Sequence, residues 1–270
     1  MVFLRWTVFV LLVAATSLWA RADDILFFGN SFTTGAMAPS VDRNGGVPAL
    51  VKEIAIAKGK DVTTDAVTAG GVDWSYHLAQ PATDKALGAK NWTWVVLQDQ
   101  SVRPTHLGRI DQFLRDGEVF SERIARTCPH AGIILYETWA RPAGAFYKGK
   151  NPSGFSGPVE MMDELHESFS RLRDDLVAKK LNSAVRIARV GTAFARVDSE
   201  YPAITLNAAD QHHATTQGYY LAALVIYETM YHESVKGAPT EFYHGEVIIS
   251  AEEAAKLQGV ADEVAGGSAN

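Results

Sequence analysis

The sequence predicts an α/β fold, a five-stranded parallel sheet with helices on both faces. Three observations predict it. Short apolar runs alternate along the chain with longer segments whose apolar residues recur at helical spacing, the order that strand–helix repeats require. The runs are continuous rather than alternating, as they are in strands covered on both faces. The chain has 270 residues with 47% hydrophobic and 21% charged content, which supplies a packed core and carries no disordered or collagen-like bias.

Taken in order, Ile25-Leu26-Phe27-Phe28 is the first strand and ends at Gly29. Val47, Leu50, Val51, Ile54 and Ala57 share one face of a helix running to Lys58. The β-branched stretch from Asp61 to Thr68 is the second strand, Trp74 to Leu87 a broken helix, and Trp94-Val95-Val96-Leu97 the third strand. Ile110 to Ala125 is strongly amphipathic and helical, and Gly132 to Tyr136 is the fourth strand. Ala140 to Pro158, rich in Gly and Pro and carrying Phe146, Tyr147 and Phe155, is predicted as a long loop above the sheet. Met161 to Lys180 is a helix, Val185 to Val190 the fifth strand, and two further helices run from Gly218 to Tyr231 and from Ala251 to Ala265. With no repeat, low-complexity block or linker, residues 23–270 are predicted as one domain.

The first 22 residues stand apart. Arg5 precedes the apolar run Trp6 to Ala15, and a small-x-small site follows at Ala20-Arg21-Ala22, the pattern of a signal peptide cleaved before Asp23. The run is shorter than the ~20 residues a spanning helix needs, and Thr7, Thr16 and Ser17 interrupt it. The expectation is a secreted or periplasmic chain with no stable membrane insertion after cleavage. Asn91-Trp92-Thr93 fits a glycosylation sequon.

Charge narrows the function classes. With 25 Lys+Arg against 31 Asp+Glu the net charge is −6, which excludes a general electrostatic attraction to nucleic acid or anionic lipid. Cys128 is the only cysteine, so no intramolecular disulfide and no thiolate zinc cluster is available.

In an open parallel sheet the reactive groups gather beyond the carboxyl ends of the strands. Four such places carry polar residues. After the first strand comes Gly29-Asn30-Ser31, where Ser31 opens a turn and is either an exposed nucleophile or a helix N-cap. After the second comes Ala69-Gly70-Gly71-Val72-Asp73, whose paired glycines either bare a backbone N–H as an oxyanion donor or make a tight turn. After the third comes Gln98-Asp99-Gln100-Ser101, in which either glutamine is an amide donor to an oxyanion or part of a hydrogen-bonded turn. The fourth is Asp210-Gln211-His212-His213, where an imidazole can take a serine proton and a carboxylate three residues earlier can hold its other nitrogen. There the competing readings are a helix cap at Asp210 or a metal site on Asp210, His212 and His213.

The order of these four blocks resembles the SGNH (GDSL-like) hydrolase superfamily, which carries Ser, Gly, Asn and His in sequence and ends in Asp-x-x-His. Gly29-Asn30-Ser31 matches the first block, Gly71 or Gly70 the second, and Asp210 with His213 the last. The resemblance spans the chain from Ile25 to the helix after His213 and is nearest to a secreted branch with a Gln-x-Gln-Ser third block. That block departs from the usual Gly-x-Asn-Asp, so Gln100 stands where asparagine donates, with the same amide on one more methylene. The resemblance implies a three-layer α/β/α, flavodoxin-like fold and Ser-His-Asp acyl-enzyme chemistry. Ser31 is then the nucleophile, His213 the base and Asp210 its orienting carboxylate. The Ser31 and Gly71 N–H groups and the Gln100 amide make the oxyanion hole, and Asn30, Gly70, Gln98 and Trp139 line the substrate pocket. It implies no cofactor, no metal, and a small-molecule or glycan ester as substrate, with removal of O-acetyl groups from carbohydrate the leading activity.

Other residues have weaker claims. Trp139 walls the pocket, stacks on a sugar, or is simply buried. Glu137 is a second acid or a hydrogen-bonded carboxylate, His77 and His106 lie near the active face, and His130, His166, His232 and His244 read as surface or packing residues. Arg141 either meets an anionic substrate or is solvated. The contrasting functional reading is a catalytically inert, secreted glycan-binding protein on the same fold, which the altered third block keeps open.

Overall fold

A computed structural model of the chain describes residues 22–142 and 154–266. The segment up to residue 21, expected above to belong to a signal peptide, and the part of the expected long loop that carries Phe146 and Tyr147 lie outside the described residues.

The apolar runs form one sheet. β1 (Asp23–Gly29) lies between β2 (Val62–Thr68) and β3 (Trp94–Leu97), and β4 (Gly132–Tyr136) and β5 (Val185–Ala188) follow outward from β3. Every neighbouring pair is parallel. Phe28 stands opposite both Val67 and Leu97, and Leu97 opposite Leu135, so three of the polar blocks leave the sheet at one level. Strand order reverses at β1, and the crevice beyond the carboxyl ends of β1 and β3 is the place where such sheets hold ligands.

Helices cover both faces. α1 (Ser31–Thr34), α2 (Pro39–Arg43) and α3 (Gly46–Ala57) follow β1, and α4 (Trp74–Ala79) and α5 (Pro81–Leu87) link β2 to β3. Beyond them come α6 (Ile110–Thr127), α7 (Pro158–Lys179), α8 (Val190–Glu200), α9 (Thr216–Tyr231) and α10 (Ala251–Gly266). A small antiparallel hairpin of β6 (Glu241–Phe242) and β7 (Val247–Ile248) precedes α10. The period-two geometry of the strands divides the core: Ile25, Phe27, Val96 and Ile134 face α3, α8, α9 and α10, while Leu26, Phe28, Val95, Leu97 and Ile133 face α4 to α7. In α9 every residue from Gly218 to Met230 is buried. A helix apolar on all sides must be covered on all sides, and α3, α8, α10 and the sheet do so.

Three local features differ from the sequence expectation or sharpen it. The fifth strand ends at Ala188 instead of Val190 because β4 offers no ladder partner beyond Tyr136. Val190 instead opens α8, whose first turn is tied to the residue after β4: Gly191 N–H reaches the Glu137 carbonyl, and the Glu137 carboxylate accepts from the Thr192 N–H and hydroxyl. The break between α4 and α5 falls at Gln80, held extended by the Pro81 that starts α5. The short α1 and α2 and the β6–β7 hairpin carry too few residues to show a period in the sequence.

The close approach of α8 to β4 generates a stability test. A Cβ at Gly191 would stand 2.1 Å from the Thr138 carbonyl oxygen and 2.9 Å from Met162 Cε, whereas one at Gly259 in α10 meets nothing within 4 Å. Gly191→Ala should cost ~1–3 kcal/mol of unfolding free energy in urea titration, as an overpacked core does. Gly259→Ala should gain up to ~1 kcal/mol from helix propensity. Equal effects of the two substitutions would contradict the packing of α8.

Candidate active site

The site starts from a glycine that cannot be replaced in place. A Cβ at Gly29 would lie 2.1 Å from Thr33 Oγ1 and 2.8 Å from Gln98 Oε1, so the chain leaves β1 pressed against the third polar block. The next residue, Asn30, caps α1: its side-chain oxygen accepts from the Phe32 N–H at 3.1 Å. Capping therefore falls to Asn30, and Ser31 becomes the first helical residue with its hydroxyl free for other partners. Tyr219 on α9 fixes the far end of α1, donating to the Ala36 carbonyl at 2.8 Å and reaching the Ser31 carbonyl at 3.4 Å.

Asn30 also joins the loops. It is 3% exposed. Its N–H donates to Gln98 Oε1 at 2.9 Å, and its amide NH2 donates to the Val72 carbonyl at 2.9 Å. Three polar blocks thus meet at one residue, through its backbone N–H and its side chain. Gln98 accepts a second bond from the Thr33 hydroxyl at 2.9 Å and turns its NH2 to the Asp99 carbonyl. Both residues are buried and fully engaged, so they form the floor of the site and do not line a pocket, as the sequence reading had them do.

The fourth block comes to the same place. His213 Nε2 lies 2.9 Å from Ser31 Oγ, and His213 Nδ1 lies 2.6 Å from Asp210 Oδ2. Asp210 Oδ1 accepts from the N–H groups of His212 and His213, each at 3.0 Å, which winds the loop tightly, with Gln211 at φ 58°. Burial acts to raise the Asp210 carboxyl, but the bonds from the His213 ring and from the two backbone N–H groups outweigh it and hold the group at about 2. A carboxylate ionised at neutral pH can only accept. His213 Nδ1 must therefore carry the proton, and in the neutral ring Nε2 is left as acceptor for the Ser31 hydroxyl. The cap of α9 is Thr215, accepting from the Gly218 N–H, so Asp210 has no capping role.

Packing holds this loop. Trp139 is 1% exposed and donates its indole N–H to the His212 carbonyl at 3.1 Å. Phe32 stacks on one face of its ring at 4.2 Å and Phe194 on the other at 4.5 Å. With both faces covered Trp139 cannot stack on a sugar, which corrects its assignment to the substrate pocket. It positions the histidine loop instead. His212 is held at about 4 by burial and by the charges of Arg141 and His213, and so stays neutral. His77 is buried, donates Nε2–H to the Gly29 carbonyl at 3.0 Å, and has its pKa lowered by burial. Glu137 is buried against Arg189 and the start of α8, and His106 pairs with Glu164 at 2.7 Å.

Candidate oxyanion donors sit on the joined loops. Among the described residues, the N–H groups of Ser31 and Gly71 have no intramolecular acceptor. Gly71 has φ +69°, a left-handed conformation that favours glycine, whereas Gly70 does not, and both are exposed. Gln100 accepts from the Val102 N–H through its side-chain oxygen at 3.1 Å, which leaves its NH2 free to donate. Among the described residues no group of three or more His, Cys, Asp or Glu is arranged to hold a metal ion.

Sequence reasoning missed the support under these donors. Asp99 is 1% exposed, and its Oδ1 accepts from the Trp74 and Gln100 N–H groups, both at 2.8 Å, stitching the second block to the third. Arg103 adds a second stitch, bonding Ser75 at 2.8 Å and Asp116 at 2.6 Å and pairing with Asp73. Asp99 Oδ2 has no partner, and burial pushes the carboxyl up to about 7 against the lowering effects of Arg103 and the two N–H bonds. The only sequence signal was a carboxylate two residues beyond the end of an apolar strand.

No family model matches the chain, and no curated protein matches it. Solved structures do match it. A DUF4886 family protein from Bacteroides uniformis superposes with a TM-score of 0.64 at 16% identity, over 90% of this chain and 95% of that one. The lipase/acylhydrolase from Enterococcus faecalis gives 0.56 at 17% identity over 77% and 95%. A mutant of an acetyl-xylooligosaccharide esterase from Geobacillus gives 0.52 at 17% identity over 76% and 92%. At these identities the likeness is one of fold alone, a five-stranded parallel sheet with helices on both faces.

Asp99 makes stability depend on pH in a direction opposite to that of most acids. The folded chain keeps its proton up to about pH 7, whereas the unfolded chain releases it near the ordinary aspartate value of 3.8. Between those values the folded state binds more protons, so the stability this group contributes is full below pH 4, falls as pH rises, and is lost above 7. The unfolding free energy of the wild type minus that of Asp99→Asn should therefore decline across pH 4–7 and level off above it. A difference that is flat with pH would show that Asp99 is not held protonated.

Proposed function

We propose that the chain is a serine esterase of the SGNH type that removes O-acetyl or other short acyl groups from a carbohydrate. One observation carries the reading: the continuous line of hydrogen bonds from Asp210 through His213 to Ser31 at the carboxyl end of β1. In the proposed cycle His213 Nε2 takes the Ser31 proton as Oγ attacks the ester carbonyl carbon. The carbonyl π bond becomes an oxyanion, met by the Ser31 and Gly71 N–H groups and the Gln100 amide. Collapse expels the alcohol, which receives the proton from His213. Water, deprotonated by His213, then attacks the acyl-enzyme and releases the acid with Ser31 restored. Asp210 stays ionised throughout and keeps the imidazole oriented.

The sugar ester as substrate class is supported by the acetyl-xylooligosaccharide esterase among the structures of like fold. Export is part of the same proposal. Arg5, the apolar run after it and Ala20-Arg21-Ala22 support removal of residues 1–22, and β1 begins at the next residue, Asp23. No helix among the described residues is long and apolar enough to cross a membrane.

Two measurements test the reading. A fluorophosphonate should add once to the wild type, not to Ser31→Ala, and far more slowly to His213→Ala. Gln100→Ala should lower kcat for p-nitrophenyl acetate ~100-fold or more without unfolding the chain, as loss of an oxyanion donor does. Full activity of Ser31→Ala would refute the nucleophile assignment, and an unlabelled, folded wild type would favour an inert glycan-binding protein. For export, intact mass of the protein recovered outside the cytoplasm should match a chain starting at Asp23. A mass that retains Met1 would overturn cleavage.

A further inference from the structure

The loop after β3 folds on itself and leaves a groove beside the proposed oxyanion donor. Turns close from Arg103 N–H to the Gln100 carbonyl at 3.0 Å, from Gly108 N–H to the Thr105 carbonyl at 2.9 Å, and from Arg109 N–H to the Arg103 carbonyl at 3.1 Å. Gly108 permits this, since a Cβ there would stand 2.2 Å from the Val102 carbonyl oxygen. Against the folded loop lie two cavities of about 530 and 550 Å³ that share Gly108, Arg109 and Gln112. The first opens at Gln100 and Asp73, and the second continues to His106, Arg115 and Arg171. Gln100 lies two residues from the Gln98 that bonds Asn30, so the groove begins beside the reacting centre.

Its charge is unlike that of the chain. The protein is net −6, yet the lining carries more guanidinium groups than carboxylates. Arg103 is neutralised within the fold by Asp73 and Asp116, and His106 is taken by Glu164. Among the described residues Arg109, Arg115 and Arg171 make no ion pair, and Asp111 is the one remaining carboxylate of the lining. Arg115 donates to the Gln112 side chain at 3.1 Å. Arg109 is exposed, belongs to both cavities and makes no side-chain bond, although it stands at the N-terminus of α6. Guanidinium groups present forked donors that match carboxylates, and a row of them in an acidic surface attracts and orders an anionic chain.

We propose that this groove binds the non-reacting part of the substrate, that this part is an oligosaccharide bearing carboxylates, and that Arg109 determines the specificity. The inference rests on the esterase reading for the ester but not for the carboxylate.

Calorimetry on the chain from Asp23 tests it, with trigalacturonic acid and neutral xylotriose as probes. The acidic trimer should bind and weaken with added salt, and xylotriose should bind at least about tenfold more weakly. Arg109→Gln should weaken the acidic trimer about tenfold, with Arg109→Gln/Arg171→Gln weaker still. Turnover of p-nitrophenyl acetate, which has no such group, should be unchanged in both. Equal binding of the two sugars, no binding of the acidic one, or indifference to Arg109→Gln would each overturn the proposal. Fluorophosphonate labelling of the same samples separates the two readings. Labelling without Arg109-dependent binding removes the groove proposal alone, and Arg109-dependent binding without labelling removes the esterase.

Discussion

The site depends on how the buried backbone N–H of Asn30 is satisfied. A buried peptide donor left unpaired costs ~1–3 kcal/mol, and the chain leaving β1 has no strand partner for it. Gln98 supplies the acceptor from the neighbouring strand end, at the cost of a glycine at position 29 to let the two approach. From this pairing the rest follows. Asn30 is held where its side chain can cap α1 and reach Val72, so the Gly70-Gly71 turn is drawn to the same crevice. Ser31, relieved of the cap, points its hydroxyl at His213.

His213 is positioned by a different kind of force. The loop from Asn207 to Ala214 is short and polar, and its own bonds to Asp210 fix its shape but not its place. Place comes from the stack of Phe32, Trp139 and Phe194, which joins α1, the end of β4 and α8. Each aromatic pair adds ~0.5–1.5 kcal/mol beyond its buried area. The indole N–H then spends its one donor on the His212 carbonyl. Serine and histidine, 182 residues apart in sequence, are thus brought to 2.9 Å by the same ring, since Phe32 is the residue after Ser31.

Much of the fold was legible because it rests on local signals. The strands at Trp94–Leu97 and Gly132–Tyr136 are apolar runs that stop at polar residues, and α3, α6 and α9 carry a helical period or an unbroken apolar length. That Ser31, His213 and Asp210 belong together was suggested by chain order, although of the three only Ser31 closely follows a strand, Asp210 and His213 lying in the loop between α8 and α9. What could not be read depends on partners distant in sequence. Nothing near Trp139 says that Phe194 will cover its second face, and nothing in Gln98-Asp99-Gln100 says which amide faces the floor and which the crevice. The end of β5 was misjudged for the same reason, because Val190 is as good a strand former as Val185 until β4 runs out of partners.

Asp210 and Asp99 show how far environment decides the role of one residue type. Both accept from two backbone N–H groups, and both lie near a cationic or potentially cationic group. Asp210 keeps a third of its side chain in contact with solvent and gains a third bond from the His213 ring, and its carboxyl falls to about 2. Asp99 is closed off, and burial outweighs the same two bonds and the charge of Arg103, raising it to about 7. An orienting carboxylate must remain charged while its histidine gains and loses a proton, so it belongs at the rim, where water shares the cost of the charge. A carboxylate that only ties two loops has no such need. Beneath the floor Oδ1 accepts from Trp74 and Gln100 whether or not Oδ2 holds a proton, and burial favours the protonated form, so that the stability it contributes is lost as pH rises through about 7.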